Sequence, residues 1–115
     1  MPGDIDYARE KYSTAVHIMA TSHGTMRERL LLAYRDSAMR AHPPMPGMGP
    51  AISDELSNRI EQLDDRMTRT PAVGDEGDIE ATVNAMTEPE VDAASEELVN
   101  IAFALLWESR EPGHK

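Results

Sequence analysis

The sequence predicts an all-α, single-domain bundle of about five helices, and three observations carry that expectation. Apolar residues recur at three- and four-residue steps along most of the chain, no stretch alternates with a period of two, and capping residues stand ahead of the periodic runs. There is no internal repeat on the scale of roughly 20 to 50 residues. With 115 residues and no cysteine, the chain is long enough to bury roughly two thirds of its unfolded surface and to fold without metal or disulfides.

The predicted helices span residues 5–21, 25–42, 54–69, 78–86 and 88–109. Asp4 or Asp6 caps the first, and Ile5, Ala8, Tyr12, Ala15, Val16 and Met19 fall on one face of it, with a weaker stripe of Tyr7, Lys11, Thr14 and Ile18 behind. The short connection Ser22, His23, Gly24 makes the first two helices neighbours. Gly24 supplies the positive φ that ends one helix, and Thr25 with Glu28 has the capping-box spacing that starts the next. Met26, Leu30, Tyr34, Ser37 and Ala41 then form a stripe that Leu31, Ala33 and Ala38 widen, and Pro43 with Pro44 stops the helix.

Residues 43–50 (PPMPGMGP) read as a stiff, extended linker. Its Met45 or Met48 is expected to fill a core gap, and its P-x-x-P pair (Pro43, Pro46) is a weak docking pattern. Ser53 caps the third helix, which carries the narrow seam Leu56, Ile60, Leu63, Met67 and the i, i+4 pairs Glu55–Arg59 and Asp65–Arg69. A polar loop leads to Asp78, the expected cap of a short fourth helix bearing Ile79, Val83 and Met86. Thr87 and Glu90 repeat the capping box, and the fifth helix is the most apolar, with Val91, Ala94, Leu98, Ile101, Ala102 and Leu105 on one face. Helices two and five, whose stripes are broadest, are expected at the centre. The domain is expected to cover 1–110, with 111–115 a flexible tail.

The formal charge of −10 is unevenly placed. Residues 1–45 hold 6 Lys/Arg against 5 Asp/Glu, and residues 46–115 hold 5 against 16. Such a surface repels phosphate backbones and anionic lipid and attracts basic partners. The opening MPGDIDYARE lacks the basic start and apolar core of a signal peptide, and no apolar run approaches the roughly 18 residues of a membrane span, so a soluble cytoplasmic protein is expected.

Catalytic motifs are missing: there is no phosphate loop, no dinucleotide fingerprint, no H-E-x-x-H and no G-x-S-x-G. His17, His23, His42 and His114 have no metal-ligand spacing, and DEGDIE (Asp75–Glu80) carries only a fragment of a calcium loop. No enzyme, cofactor, metal or catalytic residue is therefore expected. Phe103 and Trp107 stand i, i+4 apart on the back of helix five, about 140° and 180° from Leu98 by the helical step. They suit either a core wrapped on all sides or a protein interface.

The leading expectation is a small acidic interaction or regulatory subunit, binding another protein or itself as a homodimer through Phe103, Trp107 and Leu32. An acidic mimic of nucleic acid that neutralises a basic partner, in the manner of an inhibitor or antitoxin, is the second expectation. It would use the carboxylates from Asp64 to Glu97. A DNA-binding helix-turn-helix reading Arg27 and Arg29 at the start of helix two is the third, with nucleic acid disfavoured by the charge.

Overall fold

The computed structural model describes residues 4–42, 51–74 and 77–109. The expectations for Met45, Met48, the P-x-x-P pair, Asp75 and Glu76 of the calcium-loop fragment and the tail lie outside the described residues. Five α-helices form: α1 (Ile5–Thr21), α2 (Met26–Asp36), α3 (Asp54–Met67), α4 (Gly77–Ala85) and α5 (Glu88–Ser109), with a 3₁₀ turn at Ala38–Ala41. Among the described residues the one extended pairing is an antiparallel bridge between Asp4 and Ala51.

The local start signals work as their chemistry requires. The Asp4 carboxylate accepts from Asp6 N at 2.8 Å, and the Ser53 hydroxyl accepts from Leu56 N at 3.3 Å. Both capping boxes close reciprocally: Thr25 N donates to Glu28 Oε1 (2.8 Å) and Glu28 N to Thr25 Oγ1 (3.2 Å). Thr87 N donates to Glu90 Oε1 (2.7 Å) and Glu90 N to Thr87 Oγ1 (3.3 Å). Gly24 has φ +109°, and a Cβ there would strike the Glu28 carboxylate that closes the first box, so a larger residue would be strained and would displace that carboxylate. Asp78 is not the cap expected for the fourth helix. It sits in the first turn of α4 and accepts from Ala72 N at 2.9 Å, folding the preceding loop back on the helix.

Helix two is shorter than its periodicity predicts, ending at Asp36 rather than His42. The break is at Ser37 (φ −142°, ψ −63°), whose buried hydroxyl donates to the Lys11 carbonyl of α1 at 2.7 Å. A serine competes with helical geometry when its side chain finds a backbone partner. The chain continues as the 3₁₀ turn, which keeps Ala38 and Ala41 buried. The predicted inward face survives a change of helix type.

α5 packs against α1, α3 and α2, while α2 also packs on α1 and α4. The inward stripes are those expected: Ile5, Ala8, Tyr12, Ala15 and Met19 of α1, Leu56, Ile60, Leu63 and Met67 of α3, and Val91, Ala94, Leu98, Ile101, Ala102 and Leu105 of α5 are all buried. Val16 of α1 and Leu31 of α2 are half-buried, and Met26 is 39% exposed at the start of α2. The pairs expected within α3 are replaced by a longer-range one. Arg59 reaches across to α5, where Nε and Nη2 donate to Glu97 Oε2 and Oε1 at 3.1 and 3.3 Å. A forked guanidinium gains more from a two-point carboxylate than from the single contact Glu55 offers along the helix. Asp65 and Arg69 form no ion pair either.

Candidate functional site: the outer face of the last helix

With three helices against it, α5 still leaves one face open. Phe103 is 63% and Trp107 67% exposed, with Leu106 at 38% beside them. Glu96 and Asp92, about two and three turns from Phe103 toward the N-terminus on the same face, are also exposed. Leu32, grouped with the aromatic pair on sequence grounds, is half-buried on α2 and does not line the groove beside Trp107. The structure therefore brings Phe103 and Trp107 together at the surface and leaves Leu32 apart from that groove.

Trp107 also forms one wall of a groove of about 220 Å³ between α3 and α5. Leu56 and Ala104 supply its apolar lining, and Glu55, Arg59 and Glu108 its charged lining. Glu108 clamps the groove's end by accepting from Ser53 N and Ser53 Oγ, both at 2.9 Å, so the last turn of α5 is tied to the first of α3. The Arg59 charge is met by Glu97, whose hydrogen bond raises the guanidinium pKa further, and the groove is left negative by Glu55 and Glu108.

A second groove, of about 330 Å³, is lined by Arg66, Arg69, Thr82, Met86, Glu90 and Ala93 between α3, α4 and α5. Glu90 is already engaged by Thr87, whose backbone and hydroxyl bonds hold its carboxyl below the usual range. Thr82 is likewise occupied, accepting from Thr70 N at 2.8 Å and donating to Thr70 O at 3.3 Å.

Arg27, expected at a recognition helix's reading end, faces inward to backbone. Its Nη1 donates to Val83 O (2.6 Å) and Met86 O (2.7 Å), carbonyls at the end of α4, and its Nη2 pairs with Glu88 at 2.7 Å. Arg29 is half-buried, and its Nε has no partner. The acidic run is similarly committed. Asp64, Asp78, Glu88, Glu90 and Glu97 each accept a hydrogen bond from the protein itself, while Asp65, Asp92 and Glu96 are exposed; Asp75 and Glu76 lie outside the described residues.

One polar cluster carries no signal in the sequence. The Tyr34 hydroxyl donates to Asp64 Oδ1 at 2.5 Å, and His42 Nδ1 lies 3.1 Å from Asp64 Oδ2. Tyr12, fully buried close by, has a hydroxyl with no partner. Burial first, and then the hydrogen bond to Asp64 for Tyr34 and the Asp64 charge for Tyr12, push both phenols well above the usual tyrosine range, so both are neutral at physiological pH. One carboxylate thus joins α2, the residue after the 3₁₀ turn and α3. Neither groove is lined by Tyr34, His42 or Asp64. Among the described residues no group of three or more histidine, aspartate or glutamate side chains is placed to hold a metal, and no helix is long and apolar enough to cross a membrane. The chain matches no protein family, and no curated protein and no solved structure is similar to it.

Proposed function

We propose that this chain is a non-enzymatic interaction subunit that docks on another protein through the outer face of α5. The observation that supports the reading is the exposure of Phe103 (63%) and Trp107 (67%) on a helix whose opposite face is completely buried. Leaving two large aromatic side chains in water forgoes roughly 1.5 to 3 kcal/mol of burial for each, which a binding face recovers on association. Arg27 and several carboxylates already hold the fold together, which favours this reading over DNA binding or broad acidic mimicry. The reading places the chain in the cytoplasm, in keeping with a core that closes without disulfides.

The test is photo-crosslinking in the native cell, with a benzophenone side chain at position 103 and, as control, at the exposed Asn84 of α4. A discrete adduct from position 103, absent from position 84 and lost in Trp107→Ala, is the expected result. Adducts of equal yield from both positions, or none from 103, would overturn the proposal. Trp107→Ala should cost the fold less than about 1 kcal/mol, because an exposed side chain contributes little to folding. A larger loss in a denaturant melt would return the indole to the core.

A further inference from the structure

The geometry points to a partner of defined chemistry, an inference that rests on the docking role of α5. The occupant is a basic amphipathic helix of another protein, one of whose arginine or lysine side chains enters the groove between α3 and α5.

The groove's lining fits such a side chain along its whole length. Leu56 and Ala104 offer apolar surface to a long methylene stem, the Trp107 indole is an aromatic wall within reach of the cation, and Glu55 with Glu108 offers carboxylates. Arg59 does not repel the newcomer strongly, because Glu97 already holds its charge by two hydrogen bonds. At about 220 Å³ the space falls below the roughly 300 to 1,000 Å³ of small-molecule pockets and suits a single protruding side chain.

Charge along α5 extends the match beyond the groove. Asp92, Glu96, Phe103 and Trp107 lie within about 60° of one another by the helical step, acidic toward the N-terminus and aromatic toward the C-terminus, over about 22 Å. A helix with basic residues at one end and apolar ones at the other is the complement of that row. A second copy would bring the same net charge of −10 against itself. Nucleic acid and anionic lipid would meet the carboxylates.

The experiment titrates the full chain, whose single tryptophan reports directly, with a synthetic peptide of about 18 residues forming five helical turns, its binding face basic with arginine and lysine toward one end and leucine-rich toward the other, with one arginine there for the groove. The expected result is saturable one-to-one binding that shifts Trp107 emission to the blue. Affinity should fall about tenfold between about 0.05 and 0.3 M NaCl. Glu55→Gln and the pair Asp92→Asn with Glu96→Gln should each weaken binding about three- to tenfold. The charge-matched pair Glu61→Gln with Asp65→Asn, on an exposed part of α3 outside the groove, should change it less than twofold.

Equal losses in the groove and distal variants would reduce the binding to non-specific attraction and overturn the inference. So would equal binding of a peptide with glutamate in place of its basic residues, or an emission shift produced as well by anionic vesicles or duplex DNA. If the peptide fails while the adduct from position 103 persists, the inference falls and the docking role stands, and an adduct of twice the chain mass would identify the occupant as a second copy. Failure of both overturns both.

Discussion

Arg27 joins three chain segments with two nitrogens: it sits in the first turn of α2, caps carbonyls at the end of α4 and pairs with Glu88 at the start of α5. Removing it leaves Val83 O and Met86 O without their charged donor, so Arg27→Ala should cost about 2 to 3 kcal/mol in a denaturant melt. Arg27→Lys should recover less than half of that, because an ammonium cannot reproduce the fork. A loss below about 0.5 kcal/mol would mean that water replaces the guanidinium freely. Tyr12 and Tyr34 make a prediction of opposite kind. Each phenol is held neutral in the fold, so above pH 10, near the ordinary tyrosine value, the unfolded chain loses protons that the folded chain keeps. These two groups therefore leave stability unchanged below that pH and lower it above, by up to about 2.7 kcal/mol per pH unit with both acting. Phenolate absorbance from these two residues should appear together with the loss of helical circular dichroism; its appearance in a still-folded protein would contradict their burial. Neither role was legible in the sequence, since Arg27 meets residues 56 to 61 positions away and Tyr34 meets Asp64 across 30.

Helix starts were readable because a cap and its partner lie within three residues of each other, as Thr25 with Glu28 and Thr87 with Glu90 do. Ends were readable only where a local breaker set them. α2 has no glycine or proline between Arg35 and His42, and it stops because Ser37 finds a carbonyl on α1, a contact that exists only after the helices pack. Thr82 shows the same dependence from inside a helix. Its hydroxyl is a buried acceptor and donor for the backbone of Thr70, and it ties α4 to the exit of α3. Thr82→Val keeps the volume and removes both bonds, leaving Thr70 N without its acceptor, so a loss of about 1 to 3 kcal/mol is expected. Faster amide exchange at Thr70 in the variant would locate the damage. Unchanged exchange there, with unchanged stability, would show that the loop does not depend on the threonine.

For the whole molecule, helical periodicity placed Phe103 and Trp107 opposite the main stripe of α5, and it could not say how many neighbours the helix would gather. Three neighbours cover the inward side and leave the aromatic face open, a matter of how all the helices pack and not of α5 alone. Charge has the same collective character. Of 21 acidic residues against 11 basic ones, some carboxylates are matched by Arg27, Arg35 and Arg59, while Asp65, Asp92 and Glu96 are exposed and form no ion pair among the described residues. Salt acts on both sets, weakening the ion pairs and the repulsion together, but the exposed like charges are the more numerous and the more fully screened. Raising NaCl from about 0.02 to 0.5 M should therefore increase the melting temperature by a few degrees, on the order of 1 kcal/mol of relieved repulsion. Glu61→Gln with Asp65→Asn should reproduce part of that gain at low salt and leave less for salt to add. A melting temperature that falls as salt is added would instead make the Arg27 and Arg59 pairs, and not the surplus of acid, the dominant electrostatic contribution to the fold.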